Sequence, residues 1–270
     1  MIHVSDLEVV FSANTPLEKM ILQGLSLTIP SGAFITVIGS NGAGKSTLLN
    51  VLSGEVTPRS GLRGGRVVIA DRDVTNWSVA KRAKLISRVF QNPLAGSCAE
   101  LTVEENLALA QRRTQGLSLR PALNKTRRRQ FRERLSRLGL GLENRLGDRM
   151  GLLSGGQRQA VSLGMATLAP TQVLLLDEHT AALDPKTASF ILELTRSLVA
   201  EQKLTTLMVT HSMQQALDLG DRTLMLHEGA IVLDVSGEAR AGLGVNDLLA
   251  AFANQKSERV AIADDALLLG

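Results

Sequence analysis

The chain has 270 residues, 44% hydrophobic and 21% charged, with a net charge of +4, which is room for a sizeable core and for one or two domains. No apolar run approaches the roughly 18 residues of a membrane-spanning helix, and Met1-Ile2-His3-Val4-Ser5-Asp6 lacks the basic region and following apolar core of a secretory signal. The single cysteine, Cys98, excludes an internal disulfide, suits a reducing compartment and reads as a small packed residue.

In chain order, residues 2–10 alternate loosely and predict a strand; Leu25, Leu27 and Ile29 alternate before the turn Pro30-Ser31-Gly32. Phe34 to Ile38 is a short apolar run of the buried-strand kind, and Ser46 to Leu52 continues as helix. Residues 66–70 predict a strand, Lys81 to Ser87 a short helix, and Arg88 to Phe90 a strand ending at Gln91. From about Asn92 to Leu153 strand signals vanish and helix formers dominate, with Thr102 placed as an N-cap and Glu105 at the third helical position. This region reads as a helical subdomain inserted into an α/β core.

The inserted region is also basic: Gln111 to Met150 holds twelve Lys or Arg against three Asp or Glu, a local +9. Arg127, Arg128, Arg129, Arg132, Arg134 and Arg137 around Phe131, Leu135 and Leu138 predict an amphipathic helix. A solvated face accounts for it first and proximity to membrane headgroups second. Nucleic acid comes last, because Phe131 is the only aromatic and there is no stacking series. The core then returns. Val173 to Leu176 is a buried-type strand, and Asp184-Pro185 is a cap followed by proline at the first helical position. Phe190, Ile191, Leu194 and Leu198 form the inward stripe of that helix. A strand at Leu204 to Thr210, a helix at 212–219 and a strand at Thr223 to His227 follow; Glu228-Gly229 turns into a strand at 230–235, and the tail beyond is helical in places. His3 and His227 read as structural or surface residues.

Two segments are built to receive anions. Gly39-Ser40-Asn41-Gly42-Ala43-Gly44-Lys45-Ser46-Thr47 matches the phosphate-loop pattern G-x-x-x-x-G-K-[ST], with a buried strand before it and a helix after it. Its glycines let backbone amides wrap phosphates, Lys45 reaches the β- and γ-phosphates, and Ser46 ligates Mg²⁺. Leu153-Ser154-Gly155-Gly156-Gln157 starts a second helix. Ser154 and Gln157 have capping-box spacing, and two bare glycines between them let a phosphate approach the amides. One bound triphosphate has no obvious way to use both. Val173-Leu174-Leu175-Leu176-Asp177-Glu178 adds carboxylates at a strand end: Asp177 to hold Mg²⁺, Glu178 to orient or deprotonate an attacking water. His211, at the end of the strand Leu207–Thr210, can hydrogen-bond a γ-phosphate.

With these motifs in this order, the chain resembles the ATP-binding cassette family of transport ATPases from residue 2 to about 235. Gly39 to Thr47 looks like the Walker A loop, Gln91 the Q-loop glutamine, Leu153 to Gln157 the family signature, Leu174 to Glu178 Walker B, Thr180 to Asp184 the D-loop, and His211 the switch histidine.

The resemblance implies an α/β P-loop NTPase (RecA-like) core, an N-terminal antiparallel β subdomain and an inserted α-helical subdomain. The ATPase domain spans 1–235, with core at about 1–90 and 160–235, the helical part at about 92–158 and a tail at 236–270. It implies ATP and Mg²⁺, the metal held by Ser46, Gln91 and Asp177, and catalysis by Glu178, His211 and Gln91. It also implies a head-to-tail homodimer, in which Ser154, Gly155, Gly156 and Gln157 close over the nucleotide held by the Walker A loop of the other copy and Asp184 couples the two sites. Each ATP then uses one helix start from each chain. Phe11 stands where the family places an adenine-stacking aromatic, with core packing as the alternative. His179 stands where the family usually has proline, which restores a backbone N–H and relaxes the turn.

The stretch Asp177-Glu178-His179-Thr180-Ala181-Ala182-Leu183-Asp184-Pro185 resembles a bacterial subgroup serving binding-protein-dependent importers, with amino acids among the proposed substrates. Partners implied are an integral permease and, indirectly, a substrate-binding protein, with no nucleic acid. The location implied is the cytoplasmic face of the inner membrane. The alternative is a soluble ATPase of iron–sulfur cluster assembly.

Overall fold

A computed structural model describes residues 1–114 and 121–253. Residues 115–120 of the basic block and 254–270 of the tail lie outside the described residues.

The chain opens with β1 (Ile2–Phe11) and β2 (Lys19–Ile29), continues through β3 (Phe34–Gly39) into α1 (Lys45–Ser53), and returns as β4 (Leu62–Ile69) and the short β5 (Arg72–Asp73). Strands β2, β1, β4 and β5 lie side by side in that order as an antiparallel sheet. After a short α2 (Val79–Arg82), β6 (Ile86–Val89) leads to α3 (Val103–Arg112), α4 (Lys125–Ser136) and α5 (Gly155–Leu168). The α/β pattern resumes with β7 (Val173–Asp177), α6 (Pro185–Gln202), β8 (Thr205–Val209), α7 (Met213–Asp218), β9 (Arg222–His227), β10 (Ala230–Ser236) and α8 (Gly237–Ala241). The second sheet runs β10-β9-β3-β8-β7-β6, parallel throughout except for the β10–β9 hairpin.

The parallel sheet is covered on both faces, which is why its strands are apolar without polar gaps. Along β7, Val173 and Leu175 join the core shared with α1 and the antiparallel sheet, while Leu174 and Leu176 face a second core with Leu163, Val199 and Met208. A third core gathers Val103, Leu107, Phe131, Leu135, Leu138 and Met150 with Ala160, Val161 and Met165 of α5 and Ile191 of α6. Helix α5 serves both: its Leu163 and Ala166 pack on the sheet core. A boundary near residue 158 therefore falls inside one continuous helix.

Three local expectations are corrected. The helix of 81–87 stops at Arg82, whose buried guanidinium donates to the carbonyls of Val51, Leu52 and Thr75; Ile86 and Ser87 instead pair in parallel with Val173 and Leu174. Phe190 is 38% exposed, one position off a stripe made by Ile191, Thr195 and Val199 with Leu194 and Leu198 at its edge. Cys98 is exposed rather than packed. The tail is helical in places, as expected, and it is also anchored, since Leu248 is buried with Ile38, Ala216 and Met225, and Arg240 donates to the carbonyls of Ala216, Leu217 and Leu219. The Arg-rich α4 buries Phe131 and Leu135 and turns most of its arginines to solvent, two of the basic groups nearby pairing as Arg128–Glu104 and Arg137–Glu201.

Candidate active site

Strands β3, β8 and β7 are neighbours, and the segments leaving their C-terminal ends begin with Ser40, Thr210 and Glu178. This edge of an open parallel sheet is where ligands bind.

The loop after β3 is a tight backbone nest. The Ala43 N–H donates to the Ser40 carbonyl at 3.2 Å, and Gly44 caps α1 at φ +99°, a left-handed conformation that suits glycine. A Cβ on Gly44 would also lie 2.7 Å from Leu22 Cδ2. Lys45 is buried, and its Nζ donates to the carbonyls of Gly39 and Ser40 at 2.8 and 2.9 Å. Burial pulls its ammonium below the usual lysine range, opposed by the carboxylates of Glu178 and Asp177.

A cavity of about 410 Å³ opens over this nest. It is lined by Phe11, Lys19, Ile21, Asn41, Gly42, Gly44, Lys45, Ser46, Thr47, Glu178 and His211. The fold thus gathers the phosphate loop, both candidate γ-phosphate groups and the aromatic candidate. Phe11 is 41% exposed at the end of β1, so core packing does not explain it. Lys19 and Ile21, on the neighbouring β2, were not legible in advance because no local pattern marks them.

Glu178 Oε1 lies 2.6 Å from His211 Nε2. Glu178 adopts φ +46°, an uncommon conformation for a side-chain-bearing residue that costs about 1–3 kcal/mol. Its N–H donates to the Val209 carbonyl and its own carbonyl accepts from Ala181, both at 3.0 Å. These bonds hold the strained turn that places the carboxylate beside the histidine. Asp177, one residue earlier, places Oδ2 2.6 Å from Nη2 of Arg88 on the adjacent β6. The donor set suits Mg²⁺: a hydroxyl (Ser46) and a carboxylate (Asp177) are hard oxygen ligands. A cation completed by nucleotide phosphates needs no all-protein cage, and the described residues contain no cluster of three His, Cys, Asp or Glu.

The remaining candidates lie outside this cavity. Ser154 caps α5 with the expected capping box: the Gln157 N–H donates to Ser154 Oγ (3.3 Å) and the Ser154 N–H to Gln157 Oε1 (3.2 Å). Arg145 Nη1 donates to the same Oε1 at 2.8 Å. Gln157 therefore spends its carbonyl on its own helix start, as the capping-box spacing predicts. Gly156 is buried against α6, where a Cβ would meet Thr187 Cγ2 at 2.3 Å. Gly155 is less confined, its nearest neighbour being Leu183 at 3.5 Å.

Gln91 is not brought to the phosphate loop either. It lines a separate cavity of about 390 Å³ with Gly155, Gln159, His179 and Leu183. Asp184 caps α6 by accepting from the Thr187 N–H at 3.1 Å, and the Thr187 hydroxyl and backbone N–H hold its carboxyl below the usual range. His179 is 2% exposed; burial pushes its ring down to about 4, so it is neutral. Thr195 Oγ1 donates to the Ile191 carbonyl at 2.8 Å, which leaves it to accept from His179 Nε2–H at 3.1 Å. Rather than loosening this loop, His179 ties it to α6.

The sequence profile described as ABC transporter matches residues 22–181. The chain belongs to the ABC transporter family. It is the ATP-binding subunit of a transporter, an ATPase coupled to transport. The cassette is 45% identical over 232 residues to the tyrosine transport ATP-binding protein of Clostridioides difficile (strain R20291), covering 86% of this chain and 90% of that one. It is 36% identical over 206 residues to the thiamine import ATP-binding protein ThiQ of Escherichia coli (strain UTI89), covering 76% and 82%. Among solved structures, the dimeric post-hydrolysis state of the cassette MJ0796 bound to ADP and Pi matches with a TM-score of 0.75 and 26% identity, covering 87% of this chain and 98% of that one. No helix among the described residues is long and apolar enough to cross a membrane.

Proposed function

We propose that the cassette hydrolyses ATP between two copies of itself and so drives a separate integral permease importing a small organic solute, an amino acid being the favoured class. The observation that carries this reading is the split of the anion-binding elements. Lys45, Glu178, His211 and Phe11 share one cavity, while Gly155 lines another and the exposed Ser154 lines neither. A second copy placed head to tail brings the missing pair.

In this reading Phe11 stacks on adenine, the loop amides from Ser40 to Thr47 cradle the phosphates, and Lys45 leaves its carbonyl partners for the β- and γ-phosphates. Ser46 and Asp177 hold Mg²⁺, which when bound neutralises charge developing across the phosphates. Glu178 takes the proton of the attacking water, and His211 holds the γ-phosphate and the Glu178 carboxylate in line. Ser154 and the Gly155 and Gly156 amides act on the other copy's nucleotide, and Asp184, at the head of α6, links the two sites. Gln91 acts from the side of the permease contact.

The ATPase unit is assigned to 1–235, with helical residues 92–158 and the segment after Gln91 meeting the permease. A cavity of about 410 Å³ lined by Phe90, Pro93, Asn106, Leu109, Arg113 and Met165 lies there. The relatives named for tyrosine transport and thiamine import support a small organic solute, a substrate-binding protein upstream and a place at the cytoplasmic face of the membrane. They disfavour a soluble cluster-assembly ATPase. Purification from detergent-extracted membranes tests this: the chain is expected to come with an integral protein, and recovery only as a free soluble ATPase would overturn it.

A further inference from the structure

Strand β6 reads Ile86-Ser87-Arg88-Val89, so one of its inward positions carries a charge. The Arg88 side chain is 9% exposed, and a charge so placed needs partners. It has three. Nη1 donates to Asn50 Oδ1 at 2.7 Å and Glu55 Oε1 at 2.9 Å, and Nη2 donates to Asp177 Oδ2 at 2.6 Å. The guanidinium also lies 4.7 Å from the centroid of the Phe90 ring, next to Gln91. Asn50 belongs to α1, the helix that begins at Lys45, and Glu55 follows its C-cap. One planar cation therefore joins the phosphate-loop helix, the end of β7 and the residue before Gln91.

We infer that Arg88 is a positioning residue for the Mg²⁺ carboxylate: it takes one oxygen of Asp177 and fixes the rotation of the group, so that the other oxygen is presented to the cation beside Ser46. The inference rests on the ATP–Mg²⁺ reading above. Hydrogen-bond partners behind a metal-ligating carboxylate orient it, and their loss typically costs about 10- to 100-fold in metal affinity. Lysine cannot replace this fork, because a single ammonium cannot hold three acceptors in one plane.

The test separates orientation from bulk stability. In a Glu178→Gln background, where chemistry is silenced, Mg²⁺ is titrated against ATP-driven dimerisation followed by light scattering. Adding Arg88→Met is expected to raise the Mg²⁺ midpoint by about 10- to 100-fold, while ATP binding measured in EDTA stays at the parent's value. Arg88→Lys is expected to fall between the two. An unmoved midpoint in folded Arg88→Met overturns the inference, as does an equal loss of ATP binding in EDTA, which would mark general damage. Should Arg88→Met fail to fold, an unmoved midpoint in Arg88→Lys overturns it. A Glu178→Gln parent that neither binds ATP nor dimerises at any Mg²⁺ concentration overturns the ATP–Mg²⁺ reading instead.

Discussion

Gly156 separates two explanations of one glycine, since both phosphate approach and helix packing favour a bare backbone there. A Cβ at Gly156 would sit 2.3 Å from Thr187 Cγ2, whereas its distances to Thr187 Cβ and Oγ1 would be 3.6 and 3.8 Å. The obstacle is thus a single methyl group in the first turn of α6. Overpacking of this kind costs about 1–3 kcal/mol. Alanine would return about 1 kcal/mol in helix propensity. Gly156→Ala is therefore expected to destabilise by up to about 2 kcal/mol net, although the same change on an open helix face would stabilise. Thr187→Ser removes Cγ2 and keeps the hydroxyl beside Asp184, so the double variant is expected to regain most of the loss. Urea unfolding of the two single variants and the double variant yields the coupling energy directly. A stabilising Gly156→Ala, or a double variant no better than the single, would refute the packing account. ATPase activity of the rescued double variant then reports what Gly156 does for nucleotide.

Lys45→Ala is expected to weaken ATP binding in its own chain, read by equilibrium titration. In a mixed dimer carrying Lys45→Ala on one copy and Ser154→Ala on the other, one composite site stays intact, and hydrolysis well above either homodimer is expected; none would count against sites shared in trans. His179 gives a pH signature. Its ring is pushed to about 4 in the folded chain, against an ordinary value of about 6.5. The unfolded chain therefore binds the extra proton, and stability is full above about pH 6.5 and falls by up to about 3 kcal/mol as pH approaches 4. His179→Asn is expected to flatten this dependence in urea unfolding followed by Trp77 fluorescence, and parallel curves would contradict it.

What was legible in the sequence is what is local or set by strand ends. The phosphate loop is one contiguous segment with its strand and helix attached, and Glu178 and His211 each follow an apolar run that must be buried. Parallel strands put such ends on one edge, so the gathering of Lys45, Glu178 and His211 could be expected. What escaped depends on tertiary neighbours. The capping box of Ser154 and Gln157 is legible in the sequence, but Arg145, twelve residues upstream, also holds the Gln157 carbonyl, and nothing local marks it. Arg82 ends a predicted helix only because three carbonyls from α1 and its surroundings converge on it. Histidine in place of proline at position 179 suggested a looser loop; the buried Thr195 on α6, invisible to local pattern, makes it a tie. A single signal could have exposed Arg88, namely an arginine inside a short strand of a buried parallel sheet, which requires a carboxylate partner somewhere.

The central claim is that each ATP site is completed by a second copy. Light scattering of Glu178→Gln with ATP and Mg²⁺ tests it most directly. The variant is expected to shift from monomer to a stable dimer, and the same variant also carrying Ser154→Arg, which fills the signature helix start with bulk and charge, is expected to remain monomeric while still binding ATP. A Glu178→Gln protein that binds ATP and Mg²⁺ yet stays monomeric would contradict the claim.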